Sequence, residues 1–292
     1  MYKLIVLDLD GTLLNSKGEL SKENEEAIKK AKNKGIKIAI CSGRILPAIR
    51  NICLERGIGD YLISGNGSQI YEVEKNEIIY ENCMDKDMAL KLIKFCEENS
   101  IYYSISAENS IIASSLSYNV LAYNNENYRK INENKTKINL TQNIYEYVNS
   151  YDGNKFIKFT ICDNNKNILN KIIEKLKKIK GIDVIEFPHM AIKNIQNGNE
   201  NIGITYYYVE IINAKANKWE ATKILANKLG INDSEIVSFG DNINDKELIQ
   251  NSGLGFAMEN ASEYVKNIAD KITTKNDENG VAKGIEEILR NM

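Results

Sequence analysis

A single histidine, His189, in 292 residues leaves little room for catalytic triads that depend on an imidazole base. No Gly-x-Ser-x-Gly elbow accompanies it, so His189 is read as a loop residue and catalysis, if present, as carboxylate work. Cysteine is sparse and unpatterned. The five residues (Cys41, Cys53, Cys83, Cys96 and Cys162) lack metal-ligand spacing, which points to reduced thiols and a cytoplasmic setting. Basic blocks are missing too. Lys and Arg total 38 against 40 Asp and Glu, interleaved to a net charge of −2, which argues against a nucleic-acid polymer as partner. No apolar run approaches the roughly 20 residues that span a bilayer, so no membrane partner is expected. An apolar strand beginning at residue 3 leaves no signal peptide in the reading.

What is present is a core-forming composition, 43% hydrophobic and 27% charged, enough for one large domain or two moderate ones. Leu4 to Ser16, LIVLDLDGTLLNS, is an apolar run that ends on Asp8 and Asp10 and breaks at Gly11-Thr12. After it, SKENEEAIKKAKNKG has helical periodicity with Ser21 as N-cap and Gly35 past its end. IKIAICSGR is the next strand. Pro47 opens a helix that closes near Gly57, and DYLISGNGSQI gives a third strand. This alternation predicts a parallel sheet with right-handed crossovers. QIYEVEKNEIIYEN reads as a hairpin turning at Glu74-Lys75-Asn76. From about Met84 the pattern becomes α+β, and helix–strand alternation returns at Asn217. The expected organisation is an α/β parallel-sheet core, residues 1–81 and 209–292, split by an inserted domain, residues 82–208.

Polar constellations end the apolar strands of that core. Asp8 and Asp10 close the first, Ser42 and Gly43 of CSGR close the second, and Asp241, Asn242, Asn244 and Asp245 of SFGDNIND close a later one. Lys218 opens a helix just after the insertion, with Lys215 nearby as the alternative. In an open α/β sheet these positions fall on one edge, where ligands bind. Two carboxylates at a strand mouth repel each other and lose hydration, so a cation belongs with them. Three carboxylates with amide oxygens suit Mg²⁺, and Lys218 with the Ser42 hydroxyl suits phosphate oxygens.

DLDGTLL, CSGR, a lysine after the insertion and GDNIND, in that order, resemble the four motifs of the haloacid dehalogenase-like hydrolases. SGNGSQI before the insertion and NDENGVA near the end are similar to Cof-type phosphatases with a class IIB cap, a Rossmann-like core carrying an inserted α+β domain. The resemblance covers essentially the whole chain. It implies Asp8 as nucleophile forming an aspartyl-phosphate, and Asp10 as the acid that protonates the leaving oxygen and then activates water. It implies Ser42, Gly43, Arg44, Lys218 and Asn244 on the phosphoryl group, and Mg²⁺ on Asp8, the Asp10 carbonyl and Asp241, with Asn244 or Asp245 completing the site. Two departures stand out: Lys246-Glu247-Leu248 where relatives often carry Ile-x-Met, and Trp219 after Lys218 where glycine is usual. The implied activity is Mg²⁺-dependent hydrolysis of a small phosphorylated metabolite, such as a sugar phosphate, by a monomer or weak dimer. A phosphomutase and a non-catalytic phosphometabolite sensor are the alternatives. Asp10 argues against the dehalogenases, which lack a second aspartate, and the ion pumps, which have threonine there.

Overall fold

Leu4–Asp8 is buried at every position and forms β1. The computed structural model describes residues 1–128, 135–197 and 200–291. Helix α1, Lys22–Asn33, starts where the Ser21 side chain accepts from the Asn24 amide. Its Ala27, Ile28 and Ala31 face inward, as the 3.6-residue period requires. β2 (Lys37–Cys41) follows, then α2 (Leu46–Arg56), with Pro47 in its first turn and Gly57 in the left-handed conformation as its cap. β3 (Tyr61–Ser64) turns back through Gly65–Gly67 into β4 (Gln69–Glu72) and β5 (Glu77–Glu81), with Asn76 at positive φ in the hairpin.

The chain divides into two compact units, Met1–Glu81 with Ala216–Met292, and Asn82–Lys215. In the inserted unit α3 (Lys86–Glu98) leads into β6 (Tyr102–Ala107), β7 (Ser110–Ala113), α4 (Tyr118–Asn127), β8 (Lys137–Leu140) and α5 (Ile144–Ser150). β9 (Phe156–Asp163), α6 (Lys166–Leu176), β10 (Ile182–Glu186), β11 (Ala191–Asn197) and β12 (Glu200–Asn213) complete it. The sheet runs β10-β12-β9-β6-β7-β8, with β11 paired to β12. Register separates its faces. Val209, Ile161 and Tyr103 stand opposite one another, as do Ile211, Phe159 and Ile105, and this face packs with Leu92, Ile93, Ile172 and Ile173 in one apolar core. The other face carries Glu210, Thr160 and Ser104 in a row, with a buried Lys158–Glu210 ion pair beside them. The boundary expected at residue 208 falls inside β12. Its later residues still pair with β9 and β10, so they stay with the inserted unit.

In the other unit the chain resumes with α7 (Lys218–Leu229), β13 (Ile236–Gly240), α8 (Lys246–Asn251), β14 (Leu254–Met258), α9 (Glu263–Ile268), β15 (Lys271–Thr273) and α10 (Gly280–Arg290). Its sheet order is β15-β14-β13-β1-β2-β3-β4-β5, parallel as far as β3 and antiparallel thereafter. Ile28, Ile285 and Ile288 cover one face in a core with Ile5 and Leu7, while Trp219 and Leu225 cover the other with Leu4 and Val6. Strand β1 pairs with β2 on one side and β13 on the other, so the crossovers reverse direction there. Leu7 aligns with Phe239 and Asp8 with Cys41, which brings the carboxyl ends of three strands to one edge. That edge is the topological switch point where open α/β sheets bind ligands.

Candidate active site

Asp8 ends β1 with a side chain only 7% exposed, and Lys218 donates from Nζ to its Oδ1 at 2.5 Å. The same ammonium donates to Asp245 Oδ1, also at 2.5 Å, and the lysine side chain is 1% exposed. Lys218 occupies the first turn of α7, where Asn217 caps Glu220. A cation there opposes the helix macrodipole by about 0.3–1 kcal/mol, so helix stability does not explain the placement; the two carboxylates do. Trp219, one residue on, turns away into the apolar cluster with Leu4 and Val6, so its bulk leaves the lysine where the motif needs it. Lys215, the alternative, lies in the inserted unit, and its amide bonds Asp183.

Asp8, Asp241 and Asp245 each offer a carboxylate oxygen within 4.8 Å of the others. Thr12 Oγ1 donates to Asp241 Oδ1 at 2.9 Å. Asp245 is fully buried, and its Oδ2 accepts the Asp241 and Asn242 amides at 3.1 and 3.0 Å. It thereby shapes the loop as well as holding Lys218. Gly240 makes room, because a Cβ there would stand 2.5 Å from the Asp245 Cβ. Gly11 is needed twice over: its φ is +83°, and a Cβ would meet Asp241 Oδ2 at 2.5 Å.

One ammonium does not balance three acids, and the acidities record it. Burial, with the Asp245 charge, lifts Asp8 to about 7 against the opposing pull of Lys218. Asp241 is also raised, by loss of water and by the Asp8 and Asp245 charges. Lys218 is raised despite burial, because Asp245 and Asp8 outweigh desolvation. A divalent cation would balance such a cluster, and its hard oxygen donors fit Mg²⁺.

Ser42 is buried beside this group. Its Oγ accepts the Arg44 amide at 3.1 Å, which leaves the hydroxyl proton free to donate. Arg44 itself grips Asp10: Nε reaches Oδ2 at 2.7 Å and Nη2 reaches Oδ1 at 2.6 Å, with the Asp10 side chain 49% exposed. Asp10 thus stands apart from the three clustered acids. Asn244 Nδ2 donates to Asn66 Oδ1 at 3.0 Å, so in this arrangement Asp245 rather than Asn244 joins the acids. Leu248 of the departing Lys246-Glu247-Leu248 triplet packs in the apolar cluster with Leu4 and Val6, and Ser238 donates to its carbonyl. His189 is exposed in the inserted unit. Thr12 and Asn66 were missed by sequence reasoning; Thr12 lies inside the Asp-Gly-Thr turn, and Asn66 stands between two glycines.

Known proteins share this arrangement of sequence over nearly its whole length. The chain is 30% identical to Phosphatase YwpJ of Bacillus subtilis, over 98% of this chain and all of that protein. It is 28% identical to the 5-amino-6-(5-phospho-D-ribitylamino)uracil phosphatase YcsE of the same organism, over 97% and 94%. A haloacid dehalogenase-like hydrolase structure from B. subtilis superposes with a TM-score of 0.81 at 26% identity, covering 98% of this chain and 99% of that one. The family pattern described as haloacid dehalogenase-like hydrolase matches residues 5–285. With that match spanning every strand-end constellation of the sheet, the chain belongs to the haloacid dehalogenase-like hydrolases.

Proposed function

We propose that this protein is a Mg²⁺-dependent phosphatase of small phosphorylated metabolites, with Asp8 as nucleophile and Asp10 as acid and base. One observation carries the reading: Asp8, at the carboxyl end of the central strand, is clustered with Asp241 and Asp245 around a buried lysine. Asp8 and Asp241, with the Asp10 carbonyl, would hold the ion, while Asp245 fixes the loop and Lys218. Bound there, Mg²⁺ neutralises charge on the phosphoryl group and lets a dianion approach carboxylates.

The chain's own groups do the rest. Lys218 orients Asp8 and meets phosphoryl oxygens, and the Ser42 hydroxyl and Gly43 amide donate to them. Asp10 protonates the leaving oxygen and then takes a proton from the attacking water. For this it must exchange Arg44 for substrate during the cycle, which makes Arg44 available to the phosphoryl group at that moment. Choice of the leaving group falls to the unit Asn82–Lys215 in this reading. A phosphomonoester of a polyhydroxylated chain, as named for YcsE, is a leading candidate class. No helix among the described residues is long and apolar enough to cross a membrane, and all five cysteines are free, in keeping with action in the cytoplasm.

Phosphate release from a panel of sugar, polyol, nucleotide and cofactor phosphates, with Mg²⁺ and with a chelator, tests the proposal. Mg²⁺-dependent release supports it. Isomerised sugar phosphate without release identifies a mutase, and binding without turnover identifies a sensor; either result overturns it.

A further inference from the structure

We propose that Asn66 is a positioning residue that locks three parts of the site into one register: the Ser42–Gly43 turn, the Asn244 loop and the start of α7. The side chain is fully buried, and its backbone sits in the left-handed region at φ 58°, ψ 29°, a conformation asparagine tolerates better than most residues. Its amide donates to the Ser42 carbonyl at 3.0 Å, and the Gly65 amide donates to the Arg44 carbonyl at 2.8 Å. The turn is therefore stitched to the CSGR segment on both sides. Its Oδ1 accepts from Asn244 Nδ2 at 3.0 Å and lies 2.9 Å from where a Cβ on Gly43 would stand. Any residue but glycine at 43 would displace it.

The third contact is backbone on backbone. At Gly67, φ +105°, a Cβ would lie 2.2 Å from the carbonyl oxygen of Asn217, the residue before Lys218. The turn thus abuts the peptide from which the buried lysine projects. Gly65-Asn66-Gly67 links groups that come from two other strand ends and one helix. Displacements well under an ångström in such a scaffold disturb in-line geometry without altering the groups themselves. The kinetic part of this inference rests on the phosphatase reading; the mechanical part does not.

Asn66→Gly keeps the left-handed backbone accessible and deletes the side chain. With Mg²⁺ and an aryl phosphate, it should lower kcat by about 10- to 100-fold while KM changes by less than about 3-fold. Combined with Asn244→Ala, the losses should be strongly non-additive, since the two side chains act as one unit. Hydrogen exchange on metal-free protein gives the readout independent of activity. Asn66→Gly should speed exchange in both Ser42–Ile45 and Asp241–Lys246. Should that variant fail to fold, Asn244→Ala alone should speed exchange at Ser42–Ile45. Additive kinetic losses, or exchange that changes in only one segment, overturn the inference. If the unaltered protein releases no phosphate, the phosphatase reading fails and the exchange data alone decide whether Asn66 couples the loops.

Discussion

Replacing Lys218 by methionine tests whether the buried ammonium is what permits the acids to coexist. The substitution keeps most of the side-chain volume and removes the charge that sits 2.5 Å from both Asp8 and Asp245. Breaking a buried pair by deleting one partner costs roughly 3–5 kcal/mol, because the other charge is left without compensation. For a chain of this size that corresponds to a fall in Tm of roughly 6–20 °C. The loss should depend on pH in a definite direction. Asp8 has a folded pKa of about 7, so near pH 5 it already carries its proton and demands little of Lys218. Near pH 8 Asp8 is ionised in the unaltered protein, and the missing cation is felt in full. Thermal unfolding of both proteins without metal, at pH 5 and pH 8, separates the cases, and added Mg²⁺ should restore part of the loss at pH 8. An equal Tm deficit at the two pH values, or none at pH 8, would refute the electrostatic account.

The unaltered protein carries the same signature in milder form. Asp8 titrates from 3.8 in the unfolded chain to about 7 in the folded one, so the folded state holds a proton the unfolded state has lost. Metal-free stability should therefore decline as pH rises from about 4 to about 7, by on the order of 4 kcal/mol from this group if it acted alone. Lys218, raised above its ordinary value, keeps its contribution throughout that window. Saturating Mg²⁺ should flatten the decline; denaturant unfolding that shows stability rising over this range without metal would contradict the sign. Gly11→Ala forces a side chain into a positive-φ position and against Asp241, so it should weaken Mg²⁺ binding, measured calorimetrically, and lower Tm by several degrees.

Much of the site was legible because an apolar strand that stops on acids is chemically conspicuous. Leu4–Asp8 and Ile236–Gly240 are buried at every position, and Asp8 and Asp241 stand at or just past their carboxyl ends. Their convergence followed from parallel pairing, which the helix–strand alternation already implied. Lys218 carried no local signal of its own; only its place in the motif order distinguished it. The pairing of Arg44 with Asp10 was not legible, since two loops from separate strands meet only in the folded chain. Asn66 was equally silent, its role being held in backbone conformation and one amide contact. In the inserted unit, α4 was missed because Tyr118–Asn127 shows no apolar stripe at helical spacing and buries only Val120 and Asn125. The boundary misplaced at residue 208 reflects β12, whose 14 residues run on with no turn signal at that point.

Transfer of the phosphoryl group to Asp8 is the step on which the proposed mechanism turns. In the proposed mechanism Asp10→Asn removes the base that activates water, so an aryl phosphate with a good leaving group should load the protein faster than water unloads it. Rapid quench with Mg²⁺ present, followed by intact mass and fragment analysis, should show one added phosphoryl group on Asp8 and none when Asp8→Asn is introduced as well. Phosphate on another residue, or continued turnover after Asp8→Asn, would contradict the account.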